Sequence, residues 1–175
     1  MEVKMSNLLD LELREAIEEI NEIDYEDNGF PVVQRAGALA VSDLIEEFTR
    51  TGTCKDKKLL ALVLVRLRDL QVRDFAMGIT NDENIQTLCA MWSWLMQVTP
   101  AGYLAPVTAL YSAISYEQGD ASVAIKAIEQ ALQDDPKYPL ALLLRRVYAA
   151  GWPPSSFANM RRELHPKVCA ALFSE

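Results

Sequence analysis

Between Leu8 and Ile23 the apolar residues Leu9, Leu13, Ala16, Ile20 and Ile23 alternate spacings of four and three, which draws one stripe along a helix. Leu8, Leu11 and Ile17 widen that stripe. Ser6 or Asn7 stands where a side chain can accept from the free amides of a first turn, and Asp10, Glu12 and Glu15 suit the positive end of the helix. The segment from Asp24 to Pro31 breaks the pattern with Asn28-Gly29 and a proline, which divides an acidic N-terminal arm and loop, residues 1–30, from a body of residues 31–175.

The body continues in helical periods. Val32 to Thr51 places Val33, Ala36, Ala40, Leu44 and Phe48 on one side and stops at Gly52. Lys57 to Met77 reads as one long helix whose centre, Leu59 to Val65, is apolar all round and belongs in the middle of a core. A buried strand is the rival for that run; continuation through Arg66-Leu67-Arg68-Asp69-Leu70 favours the helix by length. A fourth helix follows a cap at Asn81 or Asp82, runs to Val98 with Leu88, Trp92, Leu95 and Met96 inward, and closes at Pro100. Tyr103 to Gln118 and Asp120 to Asp134 form a pair, with Pro106 in the first turn, where a missing amide costs little. Tyr138 to Ala150, Ser156 to Leu164 and Pro166 to Phe173 complete an all-α bundle of about nine helices without a sheet.

The pair at residues 103–138 carries Gly119-Asp120, Ala124, Ala131 and Asp135-Pro136, small residues where two backbones must approach and a proline where the second helix ends. Laid on the 34-residue tetratricopeptide pattern, residues 105–138 resemble one repeat. Ser112 is the small residue on the first helix, and the aromatic before the turn is displaced to Tyr116. Arg146 stands where a second repeat needs a small residue, so the resemblance covers one hairpin, which must lean on other helices to bury its faces. It implies a groove on the first helix formed by Pro106, Ala109, Ala113, Tyr116 and Glu117, a partner-binding trough of small residues ending in polar groups.

A second likeness runs over about residues 59–157. It is carried by Leu70-Gln71-Val72-Arg73-Asp74, Thr99-Pro100, Ala105-Pro106, Gly119-Asp120, Asp135-Pro136-Lys137-Tyr138 and Gly151-Trp152-Pro153-Pro154. In these the chain resembles the C-terminal half of an uncharacterised family of actinobacterial and actinobacteriophage proteins, a domain of unknown function. The resemblance implies a helical module of actinobacterial or phage origin and no activity. Residues 1–53 either stand in place of the family's additional N-terminal half or have diverged from it beyond a visible likeness.

Charge is uneven. Residues 1–53 hold thirteen acidic and four basic side chains, a local charge of −9, against −8 for the whole chain of 175 residues. Lys137, Arg145, Arg146, Arg161, Arg162 and Lys167 make the other end locally basic. A nucleic-acid role requires these cations to join into one face, because the net charge repels phosphate. No apolar run approaches the ~20 residues that span a bilayer, and the N-terminus lacks the basic-then-apolar order of a signal peptide. Cys54, Cys89 and Cys169 are odd in number and far apart, unlike a disulfide framework, so a reducing cytoplasm is expected.

Few residues carry chemistry. Asp24 to Gly29 imitates the start of a calcium loop, but its twelfth place is Arg35, where a bidentate glutamate is needed. His165 and Cys169 lie one turn apart, too few for a zinc site without the distant cysteines. His165, before Pro166, caps or starts the last helix. Seven scattered glycines form no phosphate loop. Arg73-Asp74 suggests an ion pair between helices, and Trp92 and Trp94 point apart, one to the core and the other to a second layer or a partner. No catalytic, cofactor or metal residue is assigned. The expectation is a non-enzymatic protein–protein interaction module, phage-encoded and acting on a host protein. A hydrolase or nucleotide-processing enzyme using carboxylates is the first alternative, and a DNA-associated regulator the second. The N-terminal stripe can pack on its own body, pair with a second copy as a homodimer, or enter a partner's groove.

Overall fold

The computed structural model describes residues 2–22 and 29–174, with side chains from Asp10 onward. Among the described residues the chain forms nine helices and no strand: α1 (Glu2–Asn21), α2 (Phe30–Thr51), α3 (Lys57–Arg66), α4 (Leu70–Gly78), α5 (Ile85–Val98), α6 (Leu104–Glu117), α7 (Ala121–Asp134), α8 (Pro139–Ala149) and α9 (Ser155–Phe173). The apolar run of α3 is helical, with Leu60, Ala61, Val63, Leu64 and Val65 buried. α1 packs on α3 through Leu13, Ala16 and Ile17, so the acidic arm's stripe lies on its own body.

Several boundaries differ from the periodic reading, each for a local reason. α1 begins at Glu2, which puts Ser6 and Asn7 inside the helix instead of at its cap. The single helix expected over Lys57 to Met77 is two, because Asp69 turns its carboxylate onto the amides of Gln71 and Val72 and starts a new helix there. Gln34 of α2 donates to both oxygens of that same carboxylate, at 3.1 and 2.9 Å, and fixes the corner. Ala36 is exposed, and the inward face of α2 is instead Val33, Gly37, Ala40, Val41, Leu44 and Phe48. The two short C-terminal helices are one, α9, with Pro166 inside it. Packing on both sides of the proline outweighs the missing amide there.

Two apolar clusters share α6. Val107, Leu110 and Ile114 face the larger core of α1 to α5 and the end of α9, whereas Ala105, Ala109, Ala113 and Tyr116 face a smaller core with α7, α8 and Phe157. On the second side only small residues allow close approach: Ala124 and Ala131 of α7 are completely buried, and the Ser112 hydroxyl donates to the Ala124 carbonyl at 2.7 Å. α6 ends in a left-handed glycine turn, with Gly119 at φ 90° and the Asp120 amide reaching back to the Ser115 carbonyl. Asp120 then caps α7 by accepting from the Val123 amide.

The far end of this hairpin is closed by a contact with no local sequence signature. Asp134, the last residue of α7, accepts from the amides of Gly102, Leu104 and Ala105 at 2.7, 3.0 and 3.0 Å, and so caps α6 from thirty residues away. Replacement Asp134→Ala is expected to lower stability by about 1–2 kcal/mol, with Asp134→Asn recovering part of it; urea denaturation at constant slope checks both. A close approach sits at Gly37, where a Cβ would stand 2.8 Å from the Arg66 Cβ. Gly37→Ala is expected to destabilise by about 1 kcal/mol net, because overpacking outweighs the gain in helix propensity; the thermal midpoint reads the sign.

Candidate functional site

The five residues expected to line a trough lie inside the protein. Pro106, Ala109, Ala113 and Tyr116 are buried, and Glu117 is nearly so. Tyr116 stacks on Tyr148 of α8 at 4.2 Å between ring centroids, meets Phe157 of α9 at 5.1 Å, and donates its hydroxyl to the Trp152 carbonyl. The trough is thus filled by the helices that follow it. A lone hairpin cannot leave both faces in water, and this one is covered on both sides.

Glu117 receives the one arginine that α9 carries inward. The Arg161 side chain is only 5% exposed. Its Nε and Nη2 donate to Glu117 at 2.9 and 2.7 Å, its Nη1 to the Thr80 carbonyl at 2.9 Å, and its Nη2 also to Asp82 at 2.9 Å. The guanidinium fork matches this set of planar acceptors, which a lysine could not. The cations hold the Asp82 carboxyl below its ordinary range, the Arg161 hydrogen bond contributing most. The cavity beside the cluster is about 10 Å³, room for about one water. The line of cations required for a nucleic-acid face is therefore broken at its centre: Arg161 is buried and Arg162 pairs with Asp82 at 3.2 Å.

An open apolar cleft of about 140 Å³ lies between α4, α8 and α9. It follows from the composition of α8. A surface helix needs an apolar stripe on one side, but Leu140-Ala141-Leu142-Leu143-Leu144 runs around the axis, so that Leu140, Ala141 and Leu144 fill the second core and Leu143 is left 52% exposed. Trp152, on the Pro-rich elbow, and Met160 of α9 stand beside it at 49% and 38% exposure. Met77, Val147 and Phe157 continue the lining inward. Arg73 and Asp74 form its polar wall: they pair with each other at 2.7 Å within one turn of α4, not between helices. Tyr138, whose phenol burial pushes up to about 12, feels the Arg73 charge as an opposing influence. A second, wider and more open groove of about 500 Å³ between α7 and α8 presents Ile125, Leu132 and Ala149 between Glu129 and Arg145.

A family model matches residues 4–155. The chain belongs to the family described as Domain of unknown function (DUF4192). The DUF4192 match includes α1 and α2, so residues 1–53 are not a substitute for family sequence; all but the first three lie within it. It takes in the residues of α4 and α8 that border the cleft and stops at the first residue of α9. No curated protein and no solved structure matches the chain.

The remaining residues singled out in the sequence serve packing. Trp92 is completely buried, and Trp94 packs against Phe48 at 5.8 Å. Tyr103 accepts from Asn21 and lies under the Arg68 guanidinium. Burial pushes the Cys54 and Cys89 thiols up, away from reactive thiolates. His165 does not start a helix; it lies in the middle of α9, 3.5 Å from Cys169 and against Phe75 and Gly78. Among the described residues no three His, Cys, Asp or Glu side chains converge on one point. Residues 24–28 of the calcium-like turn lie outside the described residues.

Arg161→Ala leaves Glu117 uncompensated and is expected to cost about 3–5 kcal/mol in chemical denaturation, whereas Asp82→Asn at the exposed edge costs far less. Burial lowers the His165 pKa. Its contribution to stability is therefore present above the unfolded-state value of about 6.5 and is lost as the pH falls below it. Thermal midpoints between about pH 7.5 and pH 5.5 should fall for the native chain and fall less for His165→Gln.

Proposed function

We propose that this protein is a non-enzymatic interaction module that binds another protein through the cleft between α4, α8 and α9. The observation that carries the reading is the grouping of Leu143, Trp152 and Met160, three large apolar side chains exposed around one apolar recess. Isolated exposed leucines are ordinary, but a contiguous apolar patch around a recess is the usual mark of a contact surface. Trp is among the residues that dominate interface energies, and a half-exposed indole beside a recess is suited to that role. The groove between α7 and α8 is wider but offers one large exposed apolar side chain, Ile125, against three at the cleft.

The working compartment we assign is a reducing cytoplasm, a reading supported by three unpaired thiols and by the lack, among the described residues, of a helix long and apolar enough to cross a membrane. The sequence resemblance supports an actinobacterial or phage source, and with a phage source a host protein as the target. Affinity capture from the native cell tests the interaction. A partner recovered with the native chain is expected to fall by about tenfold or more with Leu143→Glu or Met160→Glu. It should persist with Leu39→Glu, a control at a leucine equally exposed on α2. Equal loss with all three variants, or with none, overturns the assignment of the cleft.

A further inference from the structure

α9 is held on the body as a foreign helix would be held. Its inward residues Phe157, Arg161, Leu164, Val168 and Leu172 are spaced four, three, four and four, the anchor pattern of an amphipathic helix lying in a groove. It packs most on α4, then on α2 and α6, and meets α8, its neighbour in sequence, through Phe157 against Tyr148. The receiving surface is shaped for it. Gly78 has no side chain where α9 passes, and a Cβ there would stand 3.0 Å from the His165 Cβ and 3.2 Å from its Cα. The Thr80 carbonyl and the Glu117 carboxylate present acceptors that a guanidinium satisfies in one plane.

The receiving residues, Gly78, Thr80, Asp82 and Glu117, lie inside the family match, whereas the anchors of α9 lie beyond it. Receptor and occupant are joined by the elbow Gly151-Trp152-Pro153-Pro154, which follows a left-handed turn at Gly151. We infer that the groove formed by α4, the turn after it and the end of α6 is a receptor for an arginine-anchored amphipathic helix of a partner protein, with α9 as the resident occupant that the partner displaces. Charge complementarity selects the partner. With α9 lifted away, Glu117 is a carboxylate in a largely apolar recess, and only a cation with several planar donors restores its bonds and that of Thr80. The inference rests on the reading of the protein as an interaction module but uses a different face. Phe157 and Met160 of α9 border both the cleft and this groove, so departure of α9 would merge the two.

The test keeps the whole chain. A protease site placed in the Gly151 to Pro154 elbow allows the connection to be cut in the folded protein, after which a fluorescent peptide copying residues 152–174 is added and its anisotropy followed. The peptide is expected to exchange saturably into the cut protein and to bind the uncut chain more weakly, because the tethered α9 competes at high effective concentration. A peptide carrying Arg161→Lys should bind at least about tenfold more weakly, and a cut chain carrying Glu117→Gln should lose selectivity between the two. Exchange that occurs only where denaturant unfolds the whole protein overturns the proposal, as does equal binding of the Arg and Lys peptides. Dimers of the uncut chain that exchange α9 between copies, in place of binding the peptide, also overturn it, in favour of a second copy as the occupant. Ile125→Glu, on α7 outside both the cleft and this groove, is expected to leave peptide exchange unchanged. Failure here, read by peptide exchange, is distinct from failure of the cleft assignment, which is read by loss of the cellular partner.

Discussion

The fold depends on α6 being buried on both sides. From Ala105 to Tyr116 only Tyr111 retains appreciable exposure, so this helix has almost no face in water and must be served by two cores at once. That requirement divides its residues by size. Branched side chains, Val107, Leu110 and Ile114, fill the space toward the larger core, while alanines let α7 and α8 come close on the other. Neither core is complete without it, and removing either neighbour would expose a continuous apolar surface.

Around that axis polar groups do the locating and apolar groups supply the area. Asp69, Asp120 and Asp134 each stop or start a helix by accepting from backbone amides that would otherwise be unpaired. Arg161 ties α9 to the turn after α4 and to the end of α6, two places far apart in sequence. Such a buried charged pair gives little net stabilisation over an apolar equivalent, but its geometry admits one position of the helix. The cleft is the opposite case. There the apolar surface of α8 exceeds what its own core can cover, and Leu143 and its neighbours remain outside.

Helical periodicity made the class and most of the elements legible, because stripes at spacings of three and four are a direct record of burial. Leu13, Leu44, Leu88 and Leu95 lie inward as their spacing requires. Corners were less legible: Asp69 caps the new helix through its own following amides, but an aspartate in an apolar period also reads as the polar side of a continuing helix, and the Gln34 that fixes the corner lies more than thirty residues earlier. The proposed trough failed because Tyr148 and Phe157, which cover it, belong to later helices whose placement periodicity does not give. Arg161 was readable in principle. It falls on the stripe of Phe157, Leu164, Val168 and Leu172, but that stripe emerges only when the helix is continued through Pro166, against the usual meaning of a proline. Gly37 and Gly78, beside which a neighbouring helix leaves no room for a Cβ, gave no signal, since a glycine inside a helix does not say what passes beside it.

Antiparallel helices that touch through small side chains can in general slide along one another, a helical turn being 5.4 Å. α6 and α7 are clasped at both ends: the glycine turn at 119 fixes one, and the Asp134 carboxylate on the amides of Gly102, Leu104 and Ala105 fixes the other. Any axial slip would pull that carboxylate off all three donors together. The two helices are therefore held in one axial register from both ends, by bonds that a slip of one turn would break at once.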